Sequence, residues 1–380
     1  MPDPLTPYGN KPMVTPIVTA VNYEYKSFDV LQKITDGEIV GYTYHRDDNP
    51  TVRAVEKKIA LLEDAEDCIV CTTGMAACTM IYMTYLQAGD HLILFHDIYG
   101  AHYKVSLILE RFGVEITWLD ATDSGELEKY IKPNTKMIFC ETPSNPLCKI
   151  VDIRKTAELA RSRDILFVVD NTFATPYHQK PLKLGADLVV HSATKALGGH
   201  NDLMAGAIAG SKAHYNRLWF TRQAIGTTHD AYSASLLERG LKTLELRAER
   251  MAVNARAMAE FLSKHRKISR IFYPGLASDP GHELAARQME KGFGGLMAFD
   301  VGSSIEDAKK FISSLRTIYH AVSLGATETL VCMPFLTAML YLPLERRTTF
   351  GVNMNTVRLS AGVEPTYELI RDIDQALANI

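Results

Sequence analysis

Residues 165–202 read ILFVVDNTFATPYHQKPLKLGADLVVHSATKALGGHND, and each of the two apolar runs in this stretch stops at polar residues that have no place in a core. The first run ends at Asp170, and the second ends in a hydroxyl-rich turn with Lys195 at its centre. Short runs rich in β-branched residues predict strands buried on both faces, as in a parallel sheet covered by helices. Five further runs repeat the pattern: DCIVC at 67–71, HLILF at 91–95, VEITWL at 114–119, KMIFC at 136–140 and LMAGAIAG at 203–210. Helix-like stretches alternate with them, so the expected fold class is α/β with a mostly parallel seven-stranded sheet. Such sheets bind ligands beyond the carboxyl ends of their strands, so the residues after each run carry more weight than the runs themselves.

Those residues form a chemically coherent set. DCIVC leads into Thr73, Gly74 and Met75, which open a helix and present backbone N–H groups, an arrangement that holds phosphate. HLILF leads to Tyr99, KMIFC to ETPSNP with Asn145, and the two runs quoted first lead to Asp170 and Lys195. An anion site, an aromatic face, a carboxamide, a carboxylate and an amine fit a cofactor that has a phosphate, a flat ring, a ring nitrogen to be kept protonated and an aldehyde. Pyridoxal 5'-phosphate has those four handles, with Lys195 as the Schiff-base residue and Asp170 beside the ring nitrogen. Singly, each residue has a plainer reading as a surface charge, a helix cap or packing. Their joint occurrence in chain order is what points to the cofactor.

At 380 residues, 47% hydrophobic and 22% charged, the chain can bury a large core and build two or more domains. After about residue 240 the texture changes to a long amphipathic helix, RAERMAVNARAMAEFLSKH at 247–265, and then to shorter elements ending in YELIRDIDQALANI at 367–380. The expected division is an arm over 1–47, a large cofactor-binding domain over 48–240 and a smaller C-terminal α/β domain over 241–380. A net charge of −3 gives no broad basic field, so nucleic acid is not an expected partner. The opening MPDPLTPYGNKPMV has no leader pattern and no later run reaches membrane-spanning length, so no membrane partner and a cytoplasmic location are expected. Six irregularly spaced cysteines suggest reduced thiols. Cys68 and Cys71 form a C-x-x-C without a second ligand pair, which reads as two packed thiols on a strand, and no metal site is expected.

YTYHRDDNPT, TGMAA, ETPSNP, VVDNTFATP, HSATKALGGHND, RGLKTLELR, VSLGATETL and VRLSAGVE together resemble the Cys/Met metabolism family of pyridoxal phosphate enzymes, the group of methionine γ-lyase, cystathionine γ-lyase and cystathionine γ-synthase. The resemblance implies fold type I, the aspartate aminotransferase-like transferase fold. It implies that Lys195 bonds to the cofactor and shuttles protons, that Asp170 meets the pyridinium nitrogen and that Tyr99 stacks on the ring and serves the leaving group. Ser192 and Thr194, with the Gly74 and Met75 amides, would bind phosphate. Tyr44 and Arg46 would reach the phosphate of a neighbouring subunit, making the working unit a dimer, commonly paired into a homotetramer. Arg358 would clamp the substrate carboxylate bidentately, helped by Ser323 and Asn145. The implied activity is γ-elimination from a γ-substituted L-amino acid, with γ-replacement of the O-acylhomoserine sulfhydrylase or cystathionine γ-synthase type as the alternative.

Departures from the family bear on the substrate. Thr43 and Cys332 stand where cystathionine γ-lyases of the family carry Glu, which points away from cystathionine and makes Cys332 a candidate specificity residue. Ala101 stands where methionine γ-lyases carry Cys, although AVSLG and LPLERRTTFG look closest to that branch. HRDDNPT places Asp47 and Asp48 beside Arg46, and His229 and Asp230 lie in a segment that can approach the same entrance. The plainer reading makes Asp48 the cap of the helix beginning at NPTV. The sharper one makes Asp47 and Asp48 an acidic recess for a cationic distal group such as the guanidine of L-canavanine.

Overall fold

The computed structural model describes residues 12–340, 342, 343, 347 and 351–380, with residues 122–124 described by their backbone alone. The start of the expected arm, most of the MPDPLTPYGNKPMV segment and most of LPLERRTTFG lie outside the described residues. All seven predicted runs are strands: β1 (Asp67–Cys71), β2 (His91–Phe95), β3 (Glu115–Leu119), β4 (Thr135–Glu141), β5 (Leu166–Asp170), β6 (Leu188–Ser192) and β7 (Gly206–Gly210). They form one sheet in the order β1-β7-β6-β5-β4-β2-β3. The pairs β2·β3, β2·β4, β4·β5 and β5·β6 are parallel, whereas β7 runs antiparallel to β6 and β1. That reversal follows from the connection, because the stretch between β6 and β7 is a turn region with no helix to carry the chain back across the sheet.

The helix α1 (Phe28–Thr35), in the N-terminal stretch, buries no residue. The helices α2 (Pro50–Glu63), α3 (Gly74–Tyr85), α4 (Ala101–Arg111), α5 (Ile153–Ser162), α6 (Thr175–His178), α7 (Lys212–Ile225) and α8 (Ala231–Leu241) accompany the sheet, and α9 (Leu244–Leu262) carries Met258 and Leu262 into the core of the second half. Both faces of β1 are buried. Ile69 packs into the cluster that holds Met80 and Leu218, and its neighbour Val70 packs into the one that holds Val55, Ile59 and Leu237. Side chains alternate across a strand, so an unbroken apolar run such as DCIVC is what a doubly covered strand requires. The predicted helix at 247–265 is α9, beginning a few residues earlier.

A second sheet follows. It consists of β8 (Ile268–Phe272), β9 (Leu296–Val301), β10 (Tyr319–His320), β11 (Leu330–Cys332) and β12 (Thr356–Ser360), in the order β10-β11-β12-β9-β8. The intervening α10 (His282–Gln288), α11 (Ile305–Ser314) and the closing α12 (Thr366–Ala378) accompany it. Phe299 of β9 meets Phe311 of α11 edge to face, with ring centroids 6.0 Å apart. Leu369 and Ile373 of α12 join the same buried cluster.

The start of α2 corrects the reading of Asp48 as its cap. Asn49 is the N-cap, with extended backbone, and its side chain accepts from Thr51 N and Val52 N while Pro50 fills the first helical position. Asp48 Oδ1 instead accepts the N–H of Asn49 at 2.8 Å.

Candidate active site

A cavity of about 540 Å³ is lined by the last residues of β4, β5 and β6 and by the first turn of α3. From the seven-stranded half it gathers Thr73, Gly74, Met75, Tyr99, Asn145 and Asp170, followed by Ser192, Thr194 and Lys195. From the second half come Ser323, in the loop before β11, and Arg358 on β12. Eleven sequence-derived candidates, some of them nearly 300 positions apart in the chain, therefore share one cavity.

The mouth of α3 is built for an anion. Thr73 Oγ1 accepts Ala76 N at 3.0 Å and Thr73 O accepts Ala77 N, so among the described residues the Gly74 and Met75 N–H groups keep no acceptor within the helix. The backbone comes close to β6 here: a Cβ on Gly74 would lie 2.8 Å from Ser192 Cβ and 3.0 Å from its Oγ. Ser192 N donates to Thr172 Oγ1 at 2.8 Å, and Thr194 Oγ1 exchanges hydrogen bonds with Ala205, fixing the turn that carries Lys195.

Lys195 Nζ donates to Ser323 Oγ at 2.8 Å, and Ser323 O accepts from Arg358 Nη2 at 2.9 Å. Arg358 Nη1 reaches Asn145 Oδ1 at 3.2 Å, while its buried Nε has no partner among the described residues. Burial, aided by the Arg358 charge, pulls the Lys195 ammonium down to about 8. Asp170 is buried, and burial raises its carboxyl above the usual range against hydrogen bonds from Thr172 and the charge of His191. Thr172 N donates to Asp170 Oδ1 at 2.9 Å.

Among the lining residues that sequence reasoning missed, Glu141 and Thr172 stand beside Asp170. Glu141 ends β4 in register with Asp170 and accepts Tyr99 N at 2.9 Å, so it holds the loop that presents the tyrosine. Burial pushes its carboxyl well above the ordinary range, and the neighbouring Asp170 adds to the effect. Thr172 joins Asp170 to the Ser192 backbone. The signal for both was positional: Glu141 occupies on β4 the strand-end place that Asp170 occupies on β5.

Other candidates lie elsewhere. Tyr44 is exposed, Arg46 sits over its ring at 5.4 Å, and neither lines the cavity. Asp47 and Asp48 do not line it either. The Asp47 carbonyl accepts from Trp219 Nε1 at 3.0 Å and from Arg222 Nη2 at 2.5 Å, and its carboxylate lies 3.9 Å from Arg46 Nε. Cys332 is buried in β11 opposite Arg358, away from the lining. Asp230 caps α8 through Ser233 N at 2.8 Å, and the carbonyl of buried His229 meets His45 Nε2 at 3.0 Å.

A profile described as Cys/Met metabolism PLP-dependent enzyme matches residues 6–378. The chain belongs to that family. Pyridoxal 5'-phosphate is therefore its cofactor, and the fold is the family's fold type I. The chain is 43% identical over 346 residues to the cystathionine γ-lyase of Bacillus subtilis, covering 90% of each protein. It is 41% identical to an L-methionine γ-lyase of Fusobacterium nucleatum, covering 90% of this chain and 88% of that one. The crystal structure of cystathionine γ-lyase from Lactobacillus plantarum, complexed with L-serine, superposes with a TM-score of 0.91 at 36% identity over 96% of this chain and 93% of that one. Among the described residues no helix is long and apolar enough to cross a membrane.

Proposed function

We propose that the protein is a γ-lyase that cleaves the bond between Cγ and its heteroatom in a γ-substituted L-amino acid, with an uncharged thioether such as L-methionine as the preferred class. The observation that carries this reading is the Lys195–Ser323–Arg358 chain of hydrogen bonds, which sets an amine of lowered pKa beside a buried guanidinium in one cavity. The rim beyond it, with Met204, Val322, Leu336 and Leu340, is apolar and exposed, which suits a methylthio group better than a guanidine. Relatives named as methionine and cystathionine γ-lyases support the reaction type.

The residues present fit the cofactor by their donor set: amides and hydroxyls at the α3 mouth for phosphate, Tyr99 for the ring, Asp170 for the ring nitrogen and Lys195 for the aldehyde. When bound, pyridoxal 5'-phosphate supplies an electron sink for negative charge developing at Cα. Arg358 Nε, buried without a partner, is a donor available to a substrate carboxylate oxygen, while Asn145 and Ser323 hold the other two nitrogens in place. Lys195, with its pKa near 8, takes the Cα proton and returns one later. Asp170 holds the proton on the ring nitrogen, and Tyr99 protonates the departing group. The balanced reaction is L-methionine plus water giving 2-oxobutanoate, methanethiol and ammonia.

Tyr44 and Arg46 are assigned to the phosphate of a neighbouring copy, so a dimer is the working unit and a pair of dimers the assembly. The arm over 1–47, the cofactor-binding unit over 48–240 and the C-terminal unit over 241–380 belong to the same reading. The test is product analysis by mass spectrometry after incubating the cofactor-loaded protein separately with L-methionine, L-canavanine, and O-acetyl-L-homoserine with and without sulfide. Stoichiometric 2-oxobutanoate and methanethiol from L-methionine are expected. Turnover only with the ester plus sulfide would make it a replacement enzyme, and turnover of L-canavanine alone would return Asp47 and Asp48 to the substrate site.

A further inference from the structure

Behind Asp170, outside the cavity, lies a buried group that the reaction scheme leaves unused. Glu63 closes α2 and is fully buried, as is His191 on β6. His191 Nε2 donates to Glu63 Oε1 at 2.5 Å, and Asn171 Nδ2 donates to the same oxygen at 3.0 Å. Glu63 Oε2 has no partner among the described residues. Lys180 and Lys183 are engaged by Asp64, the residue after Glu63, at 3.1 Å each.

A buried carboxylate needs a compensating charge, and His191 is the ionisable donor in hydrogen-bond contact with this one. His191 also follows Val190, the register partner of Asp170, and its charge acts on Asp170. The imidazole therefore projects from β6 on the face opposite Asp170, in direct contact with Glu63, and a charged ring there is attracted to Glu63 at hydrogen-bond distance and to Asp170 on the neighbouring strand. We propose that Glu63 holds His191 as an imidazolium, and that this charge keeps Asp170 ionised where it meets the ring nitrogen of the cofactor. Charges then alternate in a line from α2 to the cavity: negative at Glu63, positive at His191, negative at Asp170. Glu63 and His191 are positioning residues, acting on the cofactor only through Asp170. Asn171, adjacent to Asp170 in sequence, ties Glu63 to the same strand end.

This inference rests on the assignment of Asp170 to the ring nitrogen, and the test separates the two. Cofactor dissociation constants and the pH midpoint of the bound cofactor's visible band are measured in wild type and in Glu63→Gln, Glu63→Asp, His191→Gln, Asp170→Asn and the Glu63→Gln/His191→Gln double variant. Glu63→Gln and His191→Gln should each weaken cofactor binding roughly tenfold, about one pH unit's worth of interaction. Each should also shift the band midpoint and lower kcat with KM nearly unchanged. The double variant should lose no more than either single one, as expected of a coupled pair, and Glu63→Asp should recover most of the loss. In holoenzyme labelled with 15N-histidine, both His191 ring nitrogens should carry protons across neutral pH, a readout on the wild type that survives misfolding of any variant. A neutral His191 ring, or unchanged binding and midpoint in well-folded Glu63→Gln, would overturn the proposal while leaving Asp170 in place. An unchanged cofactor in Asp170→Asn would instead overturn the assignment of Asp170 itself.

Discussion

Lys195 is the residue whose chemistry depends most on its surroundings. Burial and the Arg358 charge lower its pKa to about 8, so the neutral, nucleophilic amine gains ground as pH rises through that value. Capture of cofactor by the apoprotein should therefore speed up about tenfold between pH 7 and pH 9 and then level off, whereas an ordinary lysine would keep accelerating. Stopped-flow absorbance would follow the rate, and a profile without a plateau below pH 10 would refute the lowered value. Gly74 carries a second prediction. Gly74→Ala forces its Cβ to within 2.8 Å of Ser192 Cβ and 2.9 Å of its Cα, so helix and strand must separate. Overpacking of that kind costs about 1–3 kcal/mol, and cofactor affinity measured by titration should fall roughly tenfold or more. The part of this site contributed by the first sheet was legible in sequence because its residues follow apolar runs that announce strands, whereas Ser323 and Arg358 were reached only through the family motifs. Cys332 takes the same face as Arg358, its partner across β11 and β12, but is buried there and does not reach the cavity lining, which position within a motif does not reveal. Glu141 went unread because an acid at a strand end has no distinctive neighbour pattern until the register beside Asp170 is known.

At the scale of elements, the strand runs were readable because double burial demands unbroken apolar sequence. The direction of β7 and the helix α1 were not, since one depends on the connection and the other on a short amphipathic stretch with no buried residue. The junction between the N-terminal stretch and α2 shows why Asp48 resisted a simple reading. Arg222 is buried and pairs with Glu56 at 2.8 Å while its Nη2 holds the Asp47 carbonyl, and the half-buried Asp48 feels both of their charges. Burial, and then the Glu56 charge, raise the Asp48 carboxyl to about 6 against the opposing pull of Arg222. A raised folded-state pKa means the protonated acid is favoured by folding. Its stabilisation is present below the ordinary value near 3.8 and is lost as pH climbs through about 6. Asp48→Asn keeps an acceptor for Asn49 N and removes the charge. It should stabilise the protein by about 2–3 kcal/mol at pH 8 and by nothing measurable at pH 4. Denaturant melts at the two pH values decide it: equal effects at both would place Asp48 in solvent.

Across the whole molecule, the cavity is where the two sheets meet chemically, with Lys195 and Asn145 on one side and Ser323 and Arg358 on the other. A ligand whose carboxylate engages Arg358 while its amine end lies against the Lys195 side should therefore tie both halves together and protect both against opening. L-Norleucine, which carries CH2 where L-methionine carries sulfur, has the carboxylate and the apolar tail but no group to expel. At about a hundred times its dissociation constant it should add roughly 2.7 kcal/mol to the stability of the holoenzyme. The six free, buried cysteines report where that protection falls, because Cys68, Cys71, Cys78, Cys140 and Cys148 lie in the first half of the chain and Cys332 lies in the second sheet. Burial keeps thiols such as Cys68 and Cys78 far from their reactive, ionised form, so a thiol reagent should find them only on opening. With L-norleucine bound, labelling of all six, followed by peptide mass spectrometry, should slow about a hundredfold when opening is a fast pre-equilibrium. Arg358→Leu should abolish that slowing. Protection of the first five thiols with Cys332 unaffected would mean that the ligand holds only one half, and that Arg358 does not bridge the sheets through the substrate.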